Sequence, residues 1–112
     1  MISKALTAAS TKPIVLAILQ RGENYGYQII QSVRDMSGGD LDWSEPMLYP
    51  VLKRMEREGL VRSQWKQTEN GRFRRYFRLT VEGRTELKKE KDQWFRVHDT
   101  FTKILKTAAG DI

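Results

Sequence analysis

At 112 residues the chain is the size of one domain, and a second independent core has no room in it. With 39% hydrophobic and 30% charged residues, and three Trp, four Tyr and four Phe, it has the composition of a folding chain; it lacks the apolar run of a membrane span or signal peptide, so a cytoplasmic protein is expected. The absence of cysteine excludes disulfides, a thiolate nucleophile and Cys-ligated zinc, a single His excludes a histidine metal cluster, and no cofactor is expected, while the net charge of +6 turns attention to anionic partners.

From Ser10 to Leu19, the residues Ile14, Val15, Ile18 and Leu19 recur at helical spacing. Pro13 suits the first turn, where its missing N–H costs nothing. The preceding MISKALTAA extends this helix or frays, and Gly22 stops it. Asn24 reads as the N-cap of a second helix carrying Tyr25, Ile29, Ile30, Val33 and Met36 on one face and Gln28, Gln31 and Arg34 on the other. Ser37-Gly38-Gly39 ends it.

Ser44 caps a third helix, Glu45 suits the positive end of its dipole, and Leu48, Val51, Leu52 and Met55 form one apolar stripe. The opposite side is Pro46, Pro50, Lys53 and Arg57, flanked by Tyr49 and Arg54. Pro50 lies one turn deeper than proline is normally tolerated, which predicts a slight irregularity without a break. Gly59 ends the helix in the left-handed conformation.

After Gly59 the apolar period drops to two, and Leu60–Thr68 and Arg72–Leu79 predict a β-hairpin around Glu69-Asn70-Gly71. An Asn-Gly two-residue turn pairs Trp65 with Tyr76, whereas a three-residue loop with Gly71 left-handed pairs Thr68 with Arg72. The longer loop is preferred. It places Val61, Ser63, Trp65, Phe73, Phe77 and Leu79 on one face and Arg62, Lys66, Arg72, Arg74, Tyr76 and Arg78 on the other. Arg75 is the exception, with a cation–π contact to Trp65 as its expected place.

Thr80 begins a last helix, with Glu82 in its first turn, running to about Lys106 and leaving Thr107–Ile112 as a tail. Leu87, Trp94, Phe101 and Ala108 recur at heptad spacing, joined by Val97, Ile104 and Leu105. Some 27 helical residues at about 1.5 Å each make a rod of roughly 40 Å, longer than a domain of this size is wide. Part of its apolar stripe therefore needs cover from another chain. Glu86, Glu90 and Asp92 alternate with Lys88, Lys89 and Lys91 as surface i, i+4 partners do. His98, on a largely apolar face, is expected as a packed, hydrogen-bonded side chain, with metal binding or proton sensing as the alternative.

The charge is concentrated. Between Lys53 and Arg78 nine basic residues face three acidic ones, while the rest of the chain holds eleven of each. The whole imbalance thus sits on the third helix and the hairpin. A helix pair joined through a glycine-containing turn, with a basic second helix and a basic hairpin after it, predicts a winged helix-turn-helix in a mainly α fold with a small β-hairpin. Residues 1–80 form the DNA-binding domain in this reading, and residues 81–112 the dimerisation helix and tail. Lys53 and Arg54 address base edges in the major groove, with Ser44, Pro46, Met47, Pro50 and Arg57 on the same helix, while Lys66, Arg72 and Arg74 hold phosphates. Tyr25, Tyr27 and Tyr49 offer hydroxyls to phosphates, with plain packing equally open for each. Neither a glycine-rich phosphate loop nor a Ser-His-Asp set is present, and an enzyme is rejected. Two other readings stand beside this one: a protein-interaction adaptor that uses the long helix, and RNA binding, which is weaker because Tyr76 is the only outward aromatic on the wing.

The strings YGYQI at 25–29, LYPVLKRMEREGLV at 48–61 and GRFRRYFRLTVEGRTEL at 71–87 resemble the PadR family of bacterial transcriptional regulators. Its pattern is Y-G-Y, then L-Y-P followed by L-x-x-[LM]-E-x-x-G-L, then R-R-Y-Y-x-L-T-x-x-G. The likeness spans almost the whole chain; Phe77, where many members have Tyr, is a mild departure. It implies a winged-helix homodimer that represses promoters on palindromic operators, often its own or those of efflux or stress genes. A single C-terminal helix resembles the short subfamily, in which that helix makes the dimer, here through Leu87, Trp94, Val97, Phe101, Ile104 and Leu105. In multidrug-responsive members a Trp on the last helix faces its symmetry mate and flat aromatic compounds slide between them. Trp94 matches that position, with Phe95, His98, Leu6, Ala9, Lys12 and Pro13 as implied neighbours, although a Trp at a heptad position is also ordinary dimer core. His98 stands where some drug-binding relatives carry an acidic residue, which argues against cationic compounds.

Overall fold

The first helix starts earlier than Pro13 suggests. In the computed structural model, which describes residues 1–110 and side chains through Thr107, α1 spans Lys4–Gln20 with Pro13 in its interior. The Ser3 hydroxyl caps it by accepting the Leu6 N–H at 3.2 Å, and burial of Thr11, Val15, Leu16, Ile18 and Leu19 holds the helix on both sides of the proline. Pro13 removes one hydrogen bond, to the Ala9 carbonyl, and the cap and packing outweigh it. Gly22, at φ +140°, breaks the chain direction after it.

Asn24 is not a helix cap. Asn24–Tyr25 form a short strand β1 that pairs antiparallel with β3 (Asn24 opposite Phe77, Tyr25 opposite Tyr76), and the Asn24 side chain accepts the Tyr25 N–H instead. Helix α2 then runs Gly26–Met36, burying Gly26, Ile29, Ile30 and Val33. Met36, expected on the apolar face, is exposed at its end.

Helix α3, Glu45–Arg57, has Ser44 at its N-cap, but the Ser44 hydroxyl makes no capping bond. The helix continues through Pro50. Its C-terminus closes as a Schellman motif: Leu60 N–H donates to the Met55 carbonyl at 2.9 Å and Gly59 N–H to Glu56 at 3.0 Å, with Gly59 at φ +77°.

Strands β2 (Val61–Gln67) and β3 (Phe73–Leu79) pair in the register of the longer loop, with Gln67 opposite Phe73 and Val61 opposite Leu79. Thr68 N–H donates to Arg72 at 2.7 Å, Gly71 N–H to Thr68 at 3.0 Å, and Gly71 sits at φ +86°, a tight turn followed by one left-handed residue. The sheet order is β1-β3-β2. Val61, Phe77 and Leu79 reach the core, whereas Trp65 (68% exposed) and Phe73 (66%) lie beyond it, where the hairpin outruns the helices. Arg75 does not seek Trp65: its guanidinium lies over the buried Phe77 ring and pairs with Glu56.

Thr80 caps α4, Val81–Gly110, by accepting the Gly83 N–H at 3.0 Å while its own hydroxyl donates to the Gly59 carbonyl at 2.6 Å. The helix passes Lys106, where a tail was expected; the Ala108 side chain and residues 111–112 lie outside the described residues. The 30-residue α4 is about 45 Å long, and the molecule measures 62 Å along its longest axis. The core gathers Val15, Leu16, Ile29, Leu48, Leu52 and Phe77 from α1, α2, α3 and the sheet. The result is the winged helix-turn-helix with a projecting C-terminal helix that the sequence predicts. Among the described residues no helix is long and apolar enough to cross a membrane.

Candidate nucleic-acid interface

Because Leu48, Leu52 and Met55 turn into the core, the helical period leaves Pro46, Pro50, Lys53 and Arg57 along the outer edge of α3, with Arg54 beside them and Ser44 at its start, all exposed. Two residues expected on that edge turn inward. Met47 is half-buried against the core, its Sδ 3.9 Å from the Thr11 hydroxyl. Tyr49 packs α3 against α2: a Cβ on Gly26 would stand 3.1 Å from its hydroxyl oxygen. Gly26 is therefore the close-approach point of the two helices.

On the wing, Arg62, Arg72 and Arg78 are exposed. Lys66 is engaged, forming an ion pair with Glu23 and lying 4.7 Å from the centre of the Tyr76 ring. Arg74 lies 5.4 Å from the Tyr25 ring centre, and Tyr25 meets Tyr76 edge-on at 5.2 Å. Tyr25 is thus half-buried in a cationic-aromatic stack, while Tyr27 is exposed. Glu23 escaped the sequence reading because it reaches Lys66 from 43 positions away. Of the nine cations in the basic segment, Lys66 and Arg75 have acidic partners; Lys53, Arg54, Arg57, Arg62, Arg72, Arg74 and Arg78 have none among the described residues. The arrangement offers anionic ligands an exposed helix edge and a flanking ribbon.

A second surface lies between α1 and α4. Leu6, Pro13, Ile14, Leu87, Trp94 and Phe95 line an open groove of about 760 Å³. Four of the residues implied as ligand neighbours, Leu6, Pro13, Trp94 and Phe95, come together there, and three do not. Ala9 is exposed outside the groove. Lys12 lies outside the groove, and its ammonium donates to Glu86 at 2.8 Å and lies 3.9 Å from Glu90. The Glu86 hydrogen bond, opposed by partial burial and helped by the charges of Glu86, Glu90 and Glu58, raises the Lys12 pKa; the same bond lowers that of Glu86. Glu86 and Glu90 thus serve a lysine on another helix rather than their own i, i+4 neighbours. His98 is exposed, with its Nδ1 3.6 Å from Asp99, and is not the packed side chain expected.

Along the apolar stripe of α4, Leu87 is buried within its own chain and Trp94 is half-buried. Val97, Phe101, Ile104 and Leu105 remain between 56% and 67% exposed. Contiguous apolar exposure of this kind on a projecting helix marks an interaction surface.

The model of the transcriptional regulator PadR-like family matches residues 15–89. A transcriptional regulator from Clostridium thermocellum has a similar solved structure (TM-score 0.82, 27% identity, covering 92% of this chain and 97% of that one). So does a PadR-like transcriptional regulator from Bacillus cereus, with TM-score 0.80 and 26% identity over 91% of this chain and 97% of that one. A PadR family transcription regulator from Clostridium difficile is 30% identical, with TM-score 0.76 over 86% of this chain and 98% of that one.

Proposed function

The chain belongs to the PadR-like family of transcriptional regulators, and from that premise we propose that it is a homodimeric repressor that occludes a promoter by binding a palindromic operator. The promoter is its own or that of a neighbouring efflux or stress operon. Residues 1–80 serve as the reading head and α4 as the rod that joins two heads. Lys53 and Arg54 address base edges from the exposed edge of α3, with Pro46 and Pro50 giving apolar contact and Ser44 and Arg57 at the two ends. Arg72 and Arg74 hold phosphates, joined by the Tyr27 hydroxyl, and Tyr25 and Lys66 support them through the stack with Tyr76.

The observation that carries the reading is where the charge lies: the segment that holds the entire net charge folds into one helix edge and one ribbon, and most of its cations have no acidic partner among the described residues. Such a surface releases counterions when it meets a duplex. Two heads on one rod engage half-sites about one helical turn, roughly 34–36 Å, apart. A planar aromatic compound in the α1–α4 groove releases the operator by favouring a head spacing that DNA does not match, which requires different affinities for the two arrangements.

The test is a footprint of the purified protein on its own upstream region across a salt series, repeated with Lys53→Ala/Arg54→Ala. Protection of an inverted repeat by the wild type and its loss in the double variant is the expected result. Unchanged affinity of the double variant overturns the assignment of α3. A protein that sediments as a monomer and binds every duplex equally, no tighter than micromolar, overturns the repressor reading in favour of an adaptor that docks through α4.

A further inference from the structure

The last turn of α3 is joined to both strands of the wing by one closed ring of hydrogen bonds. Arg75 Nη2 donates to Glu56 Oε1 at 2.6 Å, and Arg75 Nε donates to Ser63 Oγ at 2.9 Å. The Ser63 hydroxyl donates in turn to Glu56 Oε2 at 2.6 Å. Both carboxylate oxygens are therefore occupied. All three side chains are half-buried, and the guanidinium also lies 5.4 Å from the centre of the fully buried Phe77 ring, which anchors the ring of bonds to the core. Charge-assisted bonds of this length are short and directional, and opening one here strands a partly desolvated charge.

We infer that Glu56 and Arg75 are positioning residues for DNA reading, which fix the wing relative to α3. Resting on the DNA-binding reading above, the inference separates Arg75 from the cations around it. By strand alternation Arg75 shares the face of Ser63 and Phe77, opposite that of Arg72, Arg74 and Arg78. Its charge is spent on Glu56. A two-stranded ribbon has little stiffness of its own, so its placement has to come from contacts at its sides. The edge of β3 is held by β1, the face of Arg74 and Tyr76 by Lys66 with Glu23, and the opposite face by this ring. A helix and a wing that must meet one duplex together bind best when their angle is set beforehand, because the orientational cost is then met in folding.

The probe is a duplex enriched from a random-sequence pool by the wild-type protein. Arg75→Met keeps most of the aliphatic stem and removes the donors. It is expected to weaken binding about three- to tenfold while leaving the slope of log K against log salt unchanged. Loss of a phosphate contact flattens that slope by about 0.9, and Arg72→Met is the positive control for it. Glu56→Gln decides by sign. It removes one negative charge from the reading head, so a purely electrostatic role gives tighter binding, whereas a positioning role gives weaker binding. If Arg75→Met disturbs folding, as read by circular dichroism, Ser63→Ala opens the ring with the ion pair intact, and a loss of about twofold at unchanged slope is expected. A flatter slope for Arg75→Met, tighter or equal binding by Glu56→Gln, or no effect of Ser63→Ala overturns the inference alone. A wild-type protein that enriches no duplex overturns the DNA reading, and the inference with it.

Discussion

The Lys12 ammonium lies 2.8 Å from a Glu86 carboxylate oxygen, so residues 74 positions apart in sequence bolt the first helix to the last. The two pKa shifts fix the pH range in which this bond contributes. Glu86, lowered, contributes fully above the ordinary glutamate value of 4.5 and loses its contribution as pH falls through its lower native value. Lys12, raised, contributes fully below the ordinary lysine value of 10.5 and loses its contribution as pH rises through its higher native value. The pair therefore stabilises the fold across neutral pH. It is partly open to solvent, so Glu86→Gln is expected to cost about 0.5–1 kcal/mol in urea denaturation at pH 7. The gap to wild type should narrow as the pH is lowered to 3; a gap that stays constant would assign the loss to packing instead.

Gly83 sets a second test, in which two effects oppose one another. It lies in the first turn of α4 under the backbone of Leu60. A Cβ there would press into the Leu60 carbonyl oxygen, closer than real Cβ atoms come, and would stand 3.0 Å from Leu79 Cδ2. That carbonyl already accepts the Thr80 N–H at 3.1 Å and cannot swing aside freely. Alanine adds about 1 kcal/mol of helix propensity over glycine, while overpacking costs roughly 1–3 kcal/mol or more. The clash is expected to win. Gly83→Ala should lower stability by about 2 kcal/mol in a denaturant melt, and a variant more stable than wild type would show that α4 slides away at no cost.

These two sites also mark the limit of what the sequence discloses. The hairpin register was legible because, of the two turns open around Gly71, the three-residue loop separates the apolar from the basic face of the strands, and the α3 stripe because four apolar residues repeat at one period. The start of α1 was not, since MISKALTAA has no apolar period and Pro13 imitates a first turn. Strand β1 has two residues and exists only through its pairing with β3. On α3, spacing told the outer edge from the inner one but could not place Met47 and Tyr49, which flank both. The partners of Lys12, Lys66 and Arg75 come from distant parts of the chain, which local spacing does not reveal.

The exposed end of α4 gives the proposed dimer its test. Phe101→Glu with Ile104→Glu puts two carboxylates where two apolar side chains, each 62% exposed, are proposed to meet a second copy. Neither residue contributes to the buried core of its own chain, so the melting temperature of the winged domain should change little. Sedimentation is expected to show a monomer. Operator affinity should fall by about a hundredfold or more, as the second head loses its effective concentration. A double variant that remains dimeric would place the interface elsewhere.

The ligand proposed for the groove between α1 and α4 gains a test from the charge of the groove's lining. Its apolar walls include Leu6, Pro13, Ile14, Leu87, Trp94 and Phe95, while Arg84, Lys88 and Lys91 also line it, and among the described residues no acidic one does. A planar aromatic anion gains stacking on Trp94 and attraction to these cations, whereas a planar cation of the same size meets like charge. Anthracene carboxylate is therefore expected to bind more tightly than aminoacridinium, by about tenfold at low salt, with the difference shrinking as salt is added. Trp43 and Trp65 also fluoresce, so the control is Trp94→Ala. Quenching should be strong in the wild type and largely lost in the variant. Equal quenching of both proteins would remove Trp94 from any ligand site, and a preference for the cation would mean that a second chain brings acidic groups to the groove.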